Sequence, residues 1–258
     1  MTDQERNTFE TKGWIGPYDL LTQVELGQLR DAHRSSAELF LRPEEMGKED
    51  HPGRFARKSW FKSIHTKVTA FYDLATHPVI VNKVVSLLGP DVIAWGLTVK
   101  TLRPGTRHRW HVDIEHLEWP GISVFIALEN VDRDTSLKVL DGSHTLHQIP
   151  QALSLNDDDG VWRKAEELGN RGIVAPVDMR DGQFFLFQGR IWHGSENSTD
   201  RTRLAAIVQY TRPTSRVRIP LSWDIPVQWD PTQPPCVLAA GVDSAGLNVL
   251  TVRSDCEQ

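Results

Sequence analysis

Two stretches decide the fold: 182-GQFFLFQGRIWHGSEN-197 and, shortly after it, 203-RLAAIVQY-210. Both contain short apolar runs of residues that favour strands, and the first run ends in a turn that presents His193. Similar runs separated by turn signals recur along the chain, and they predict strands at about 92–101, 121–129, 183–188 and 203–211. Many short strands between such turns indicate a β-sandwich or barrel.

The N-terminal part of the chain has helical patterning instead. Thr22 and Glu25 form a capping-box pattern ahead of leucines at helical spacing, so a helix is predicted over about 23–40. The other predictions are a charged loop at 42–57, a helical region at about 67–88 interrupted at His77-Pro78, and one later helix near 159–168. The chain is therefore predicted to be mainly β, with flanking and mostly N-terminal helices.

We predict a single domain, because all-β barrels and sandwiches often reach 258 residues and no linker divides this chain. Its parts are a helical region at 1–90, a β core at 91–213 and a C-terminal segment at 214–258. That last segment is rich in Pro, Asp and Trp and lacks periodicity, so we expect it to cover the core.

Composition narrows the range of partners. The formal net charge is -5, from Lys+Arg 29 against Asp+Glu 34, so the chain lacks the positive field that attracts nucleic acid or a membrane surface. Cys236 and Cys256 are too few for a disulfide framework, and neither a signal peptide nor a membrane-spanning stretch is evident. We expect a cytoplasmic monomer or homodimer that acts on a small molecule.

A candidate metal site begins at His111-Val-Asp113. Residues two apart in a strand point to the same side of the sheet, so this histidine and this carboxylate can bind one ion. Non-haem iron(II) oxygenases use two histidines and one carboxylate, which leaves positions open for a cosubstrate and O2. The pair alone is weak evidence, since the chain has 10 histidines and a similar pair at His116-Leu-Glu118.

An arginine in the second stretch adds to the pattern. Arg203 follows His193 by ten positions (203 − 193 = 10) and begins an apolar strand. A buried arginine must find an anion, and its planar guanidinium suits a carboxylate. The distal carboxylate of 2-oxoglutarate is one candidate partner, and a structural Arg–Asp pair is the alternative.

With these residues in place, the sequence resembles the phytanoyl-CoA dioxygenase family, from the first helical region to about residue 213. The similar segments are, in order, Trp110-His111-Val-Asp113, Ile122-Ser-Val-Phe-Ile-Ala-Leu-Glu-Asn130, Ser136-Leu-Lys-Val-Leu-Asp141-Gly-Ser-His144, and the stretch with His193 and Arg203. Two departures concern one loop: Thr135-Ser136 replaces the family's Gly-Pro, and Asp141 replaces a proline. We expect His144, in the same loop, to be structural.

The resemblance implies a jelly-roll core, which is a double-stranded, cupin-like β-helix, with helices packed on one sheet. It implies that His111, Asp113 and His193 hold iron(II) and form the catalytic centre. The implied reaction uses O2, converts 2-oxoglutarate to succinate and CO2, and oxidises a C–H bond by hydroxylation or ring closure. Related halogenases have a small residue in place of the carboxylate, so Asp113 argues against halogenation.

The resemblance also implies cosubstrate contacts. Arg203 with Ser195 would bind the distal carboxylate of 2-oxoglutarate. Lys100 or Thr98, in the strand predicted at about 92–101, are looser matches for a further contact with the cosubstrate.

The substrate is predicted from the tryptophans, of which the chain has 9. Trp110, Trp119 and Trp192 lie in or beside the site strands, and we expect them to contact substrate because indole suits sugar rings and other bulky amphipathic scaffolds. The chain also resembles family members that tailor natural products, including those that close orthoester rings between sugars in orthosomycin antibiotics. A sugar or oligosaccharide intermediate of antibiotic biosynthesis is the leading expectation.

Three alternatives stay open on the sequence. An acyl-CoA or other small metabolite could be the substrate if the basic residues form a phosphate site; these are Arg54, Arg57, Lys58, Lys62, Arg103, Arg107 and Arg109. The chain could instead be a jelly-roll protein that binds a glycoside without redox chemistry. It could also be a hydrolase or isomerase that uses the same triad with zinc or manganese. The position of Arg203 argues against the last two, since neither needs a second carboxylate anchor.

Overall fold

The structure is a computed structural model, and it describes residues 1–40, 63–113, 121–153, 155, 157–218 and 233–256. Its helices and strands are α1 (Asp3–Lys12), β1 (Trp14–Asp19), α2 (Gln23–Phe40), α3 (Thr69–Ala75), α4 (Pro78–Leu88), β2 (Val92–Leu102), β3 (Arg107–His111), β4 (Ile122–Glu129), β5 (Lys138–Leu140), α5 (Asp158–Glu167), β6 (Val174–Pro176), β7 (Gln183–Gln188), β8 (His193–Glu196), β9 (Arg203–Thr211), β10 (Pro235–Ala240) and β11 (Val249–Leu250).

The chain forms two compact units. The first unit contains Met1–Leu20 and Lys100–Ile207, and the second contains Leu21–Val99 and Val208–Gln258. Along the chain, β2 and β9 each run from one unit into the other. The prediction of a single domain stays a prediction.

The first unit is built from two antiparallel sheets. One has the strand order β1-β7-β4-β9, and the other has the order β3-β8-β5-β6. Phe125, Phe185 and Phe187 of the first sheet pack with Val139 of the second in one buried cluster, so the core lies between the sheets. This confirms the predicted jelly-roll core.

The outer face of the smaller sheet is covered by α5. Trp110 and Trp192 form a buried cluster there with Val161 and Ala165 of the helix. Asp157 caps the helix N-terminus by accepting a hydrogen bond from the Gly160 N–H at 2.6 Å. Trp192, just before β8, therefore points to the helix-covered face, whereas the ring of its neighbour His193 lies 4.9 Å from Phe187 of the core, as alternation along a strand requires.

The second unit combines α2, α3 and α4 with β2, β10 and β11. Strand β10 pairs antiparallel with β2 and parallel with β11. Pro78 begins α4 and ends the continuity of the helical region, since the residue before proline avoids the α conformation. The Tyr210 hydroxyl, fully buried, donates to the Ala75 carbonyl at 2.9 Å and ties β9 to the end of α3.

Most predicted elements are confirmed. The capping box at Thr22 is present, with the Glu25 N–H donating to Thr22 Oγ1 at 3.3 Å, and α2 runs over Gln23–Phe40. The strands and the late helix match within about two residues. The loop predicted at 42–57 lies outside the described residues. No helix in the ranges that the structure describes is long and apolar enough to cross a membrane.

Elements that were not predicted include α1, β1, β10 and β11, as well as the short strands β5, β6 and β8. Helix α1 buries only Phe9, so it lacks the apolar stripe by which amphipathic helices are found, although Thr2 and Glu5 form a capping box. Strands β10 and β11 lie in the C-terminal segment that was predicted to be a covering without periodicity. Cys236 and Val237 of β10 are buried, so part of this segment is sheet.

Candidate active site

Three predicted metal ligands meet in the first unit. His111 ends β3, Asp113 follows two residues later, and His193 opens β8, where it lies opposite His111 in the β3–β8 ladder. One ligand atom from each residue lies within 4.8 Å of the others. Asp113 Oδ1 is 3.7 Å from Nε2 of His111 and 3.7 Å from Nε2 of His193.

Backbone carbonyls orient both imidazoles. His111 Nδ1 donates to the Arg109 carbonyl at 2.8 Å, and His193 Nδ1 donates to the Ile191 carbonyl at 3.0 Å, because a carbonyl can only accept. Each Nε2 is thereby left with its lone pair directed towards Asp113. Burial and the neighbouring imidazoles also hold the pKa of His111 well below its usual value of 6.5, which favours the neutral, ligating form.

Two side chains of the first sheet contact members of the triad. The Ser123 hydroxyl donates to Asp113 Oδ2 at 2.6 Å, which leaves Oδ1 facing the histidines. The Phe187 ring lies 4.9 Å from the His193 ring, and Ser123 and Phe187 are cross-strand partners in β4 and β7. Sequence reasoning did not find either residue. Ser123 was visible only as the one hydroxyl within an apolar strand.

This donor set fits iron(II). Two neutral imidazoles and one carboxylate form the facial arrangement of non-haem iron sites, with the remaining positions open. In a facial site, two atoms that each lie about 2.1 Å from one ion are about 3 Å apart, and both Nε2–Oδ1 distances, at 3.7 Å, lie within about 1 Å of that spacing.

Two buried residues with unpartnered donors lie in β8 and β9. Arg203 is 3% exposed, yet its Nε and Nη1 have no hydrogen-bond partner among the described residues. The hydroxyl of Ser195, two residues after His193, is also buried and unpartnered. Buried donors of this kind are costly unless a ligand accepts from them. Burial lowers the pKa of Arg203 to about 10, so the guanidinium is still a cation at neutral pH.

Another imidazole was missed by the sequence analysis. His108 is half-buried and lies directly opposite Ser195 in the β3–β8 ladder. Its ring centroid is 4.4 Å from that of His111, in an edge-to-face arrangement. Burial, together with the charges of Lys100 and Arg203 and the imidazole of His193, lowers the pKa of His108 to about 4. Its side chain therefore belongs to the triad face.

The other predicted cosubstrate residues lie on β2. Lys100 is exposed, and its charge acts on His108 and His111. Thr98 is half-buried and belongs to the second unit. A cosubstrate contact for either residue stays a prediction.

Two of the three predicted substrate tryptophans, Trp110 and Trp192, belong to the buried cluster under α5. Trp192 is 0% exposed in the cluster under α5, and its indole N–H donates to the Gln148 carbonyl at 3.1 Å. Trp110 belongs to the same cluster and donates to Asp158 Oδ1 at 3.2 Å, although it also borders a cavity of about 570 Å³. Trp119 lies outside the described residues.

Asp141 and Thr135, which depart from the family pattern, have hydrogen-bond partners, and so does His144 in the same loop. Asp141 accepts from the Trp14 indole N–H at 2.7 Å and pairs with Lys12 at 3.2 Å, which ties the loop to α1 and β1. His144 Nε2 donates to the Glu10 carbonyl at 3.1 Å, so its ring packs against the end of α1. Thr135 Oγ1 donates to the Asn130 carbonyl at 2.7 Å.

Comparisons with known proteins identify a family and related folds. The model of the phytanoyl-CoA dioxygenase family matches residues 9–205. No curated protein sequence matches the chain. Among solved structures, ThoJ, a non-haem monooxygenase solved with nickel, is 21% identical at a TM-score of 0.65, with 96% of this chain and 87% of that chain covered.

Two further structures carry a cosubstrate. CytC3 with Fe(II) and alpha-ketoglutarate has a TM-score of 0.66 and 18% identity, with 97% of this chain and 93% of that chain covered. The epimerase SnoN, in complex with Fe3+, alpha-ketoglutarate and nogalamycin RO, has a TM-score of 0.60 and 19% identity, with 84% and 86% covered. At these identities the likeness establishes the fold.

The fold and the site together define a non-haem iron(II) and 2-oxoglutarate-dependent oxygenase. The match over residues 9–205 shows that the chain belongs to the phytanoyl-CoA dioxygenase family.

Proposed function

We propose that His111, Asp113 and His193 hold the iron, and that Arg203 and Ser195 bind the distal carboxylate of 2-oxoglutarate. The observation that carries the proposal is the pair of buried residues with unpartnered donors, Ser195 in β8, two residues after His193, and Arg203 at the start of β9. A dicarboxylate would satisfy these donors, and the guanidinium would neutralise its distal charge.

When bound, iron(II) with 2-oxoglutarate and O2 supplies oxidative decarboxylation to succinate and CO2, together with the power to oxidise an unactivated C–H bond. The protein's own part is positioning. The carbonyls of Arg109 and Ile191 fix the two ligand nitrogens, and Ser123 fixes the carboxylate of Asp113. Burial of the site excludes water and strengthens each of these interactions.

We propose that the substrate is a bulky, ring-bearing intermediate of natural-product biosynthesis, oxidised by hydroxylation or ring closure. Support comes from structural relatives: SnoK is a carbocyclase from nogalamycin biosynthesis, and SnoN was solved with a nogalamycin compound. A sugar or oligosaccharide intermediate of an antibiotic is the finer proposal. Trp192 does not support this finer proposal, because its side chain is buried under α5. A hydroxylase of acyl-CoA is the second candidate.

The test is O2-dependent succinate formation by purified protein with iron(II) and 2-oxoglutarate, against a panel of substrates. The panel holds oligosaccharide antibiotic intermediates, glycosylated polycyclic aromatics and acyl-CoA thioesters. We expect a ring-bearing member to stimulate succinate formation, with a product that has gained one oxygen atom or lost two hydrogen atoms. Stimulation by acyl-CoA alone would contradict the substrate proposal, and His193→Ala is the inactive control.

A further inference from the structure

Strand β3, which carries the ligand His111, pairs irregularly with β8. His108 lies opposite Ser195 and His111 lies opposite His193, with a register shift between the two pairs. The pairs are three residues apart in β3 but only two apart in β8, so β3 has a β-bulge of one extra residue. Because side chains alternate along a strand, this extra residue lets the rings of His108 and His111 share a face, with centroids 4.4 Å apart. The bulge therefore turns His111 towards His193.

The bulge consists of Arg109 and Trp110, which together oppose Gly194 of β8. The Arg109 carbonyl is the group that orients the His111 imidazole, at 2.8 Å. The indole of Trp110 packs over Gly194 on the helix-covered face, where a Cβ added at Gly194 would lie 3.2 Å from Trp110 Cδ2. That spacing is tighter than an ordinary carbon contact. A glycine at this position therefore lets the indole rest directly on the backbone of β8.

Asp158, in the first turn of α5, holds the indole in this place. Its Oδ1 accepts from the Trp110 indole N–H at 3.2 Å, and its Oδ2 accepts from Lys138 Nζ at 2.7 Å. Lys138 is the partner of Gly194 in the neighbouring β5–β8 ladder. The carboxylate of Asp158 therefore spans the glycine and links β3 to β5 across β8.

We propose that Trp110 and Asp158 are positioning residues for the metal centre, because together they hold the bulge of β3 in the shape that directs His111 at His193. Strand β3 is the edge strand of its four-stranded sheet, and a bulge disrupts the regular ladder of hydrogen bonds. Its place on β8 therefore depends on the side-chain contacts of Trp110. The inference rests on the proposed function, because it requires that His111 and His193 bind the same ion. Trp110 then acts on the metal through the backbone, from the far side of the sheet.

The test measures cobalt(II) affinity by the visible absorption of the bound ion, together with the free energy of unfolding of the metal-free protein. Asp158→Ala removes the acceptor of the Trp110 indole N–H, whereas Asp158→Asn keeps an acceptor and removes the charge paired with Lys138. Trp110→Phe keeps a ring on Gly194 and removes the donor. Asp159→Ala is the matched control, because it removes an exposed carboxylate from the same turn of α5.

We expect Asp158→Ala and Trp110→Phe each to weaken cobalt(II) binding about tenfold, as the loss of groups that orient a metal ligand does. The double variant should lose little more than either single variant, because the two residues act through one hydrogen bond. Asp158→Asn should recover most of the affinity, and Asp159→Ala should bind cobalt(II) as wild type does.

A role in stability alone would lower the free energy of unfolding of Asp158→Ala and Trp110→Phe and leave the cobalt(II) affinity of the folded proteins unchanged. That result would overturn the inference. An equal loss of affinity in Asp159→Ala, or losses that simply add in the double variant, would also overturn it.

The wild-type protein separates this role from the proposed function. If wild type gives no more cobalt(II) absorption than His193→Ala does, then the proposed metal site fails, and the positioning role fails with it. If wild type binds cobalt(II) and both Asp158→Ala and Trp110→Phe bind it equally tightly, then only the positioning role fails.

Discussion

At the residue scale, the site depends on groups that hold a ligand atom in place without touching the metal position themselves. Ser123 illustrates this, because its hydroxyl donates to Asp113 Oδ2 while Oδ1 faces both histidines. Without that bond the carboxylate can rotate about its Cβ–Cγ bond, and Oδ1 then no longer faces the two histidines. Partners of metal ligands commonly change metal affinity by roughly 10- to 100-fold.

We therefore expect Ser123→Ala to lower the affinity for iron(II) or cobalt(II) by roughly tenfold, while the protein stays folded. Metal titration followed by cobalt absorption measures this affinity, and circular dichroism checks the fold. Ser123→Thr, which keeps the hydroxyl, is the matched control. Wild-type metal affinity in Ser123→Ala would show that the hydrogen bond to Asp113 is not needed.

Arg203 leads to a prediction in which binding and stability change in opposite directions. Its buried guanidinium has unpartnered donors, so the protein without cosubstrate carries the desolvation cost of this charge. We expect Arg203→Met to abolish 2-oxoglutarate binding and to raise the free energy of unfolding by about 1 kcal/mol. Chemical denaturation of the cosubstrate-free protein measures this free energy of unfolding. A large loss of stability would mean that the guanidinium is already paired.

At the element scale, β8 shows what the sequence could and could not predict. The triad was predicted through the resemblance to the family, because the His111-Val-Asp113 pair alone is weak evidence. The role of Trp192 was not, because a residue adjacent to His193 points to the opposite face of the strand. His108 and Ser123 were missed for another reason. Their roles depend on which strands pair and in what register, which is a tertiary property.

Trp192 should consequently act on stability. We expect Trp192→Phe to lower the free energy of unfolding by about 2 kcal/mol, because it leaves a void under α5 and removes the hydrogen bond to Gln148. Metal and 2-oxoglutarate affinities should be unchanged. Trp162→Phe, at a position of α5 that is 44% exposed, is the matched control and should change stability by less than about 0.5 kcal/mol. Preserved stability of Trp192→Phe with weakened substrate binding would restore the role first predicted for this residue.

At the scale of the whole molecule, helices and strands with clear periodicity were predicted correctly, and those that depend on packing were not. Helix α2 and strands β4, β7 and β9 have either a capping box or a long apolar run. Helix α1 and strands β10 and β11 are short or polar, so their structure comes from the neighbours they pack on. Cosubstrate binding by Lys100 and Thr98 stays a prediction.

A buried histidine in the second unit gives the fold an acid sensitivity. His65 is fully buried, donates to the Ala94 carbonyl at 3.1 Å, and has its pKa lowered to about 4, mainly by burial. In the unfolded chain the imidazole of His65 binds a proton below about pH 6.5, whereas in the folded protein it stays neutral down to about pH 4. The neutral imidazole therefore contributes its full stability above about pH 6.5, and this contribution is lost as the pH falls from about 6.5 to about 4.

We expect His65→Gln, which keeps a donor for Ala94 but does not titrate, to lose less stability between pH 6.5 and 4 than wild type, by roughly 3 kcal/mol. Denaturant unfolding of the metal-free protein at several pH values measures the difference. His147→Gln, at an exposed histidine, should keep the wild-type pH dependence. Identical pH profiles for His65→Gln and wild type would contradict the account.

The central claim, that one face of β3 and β8 holds iron(II) and 2-oxoglutarate together, is tested most directly by anaerobic absorption spectroscopy. The account predicts a weak visible charge-transfer band that requires both iron(II) and 2-oxoglutarate with the wild-type protein. The band should be absent in His193→Ala, and absent in Arg203→Met at the same cosubstrate concentration. Absence of the band from wild-type protein saturated with both components would contradict the account.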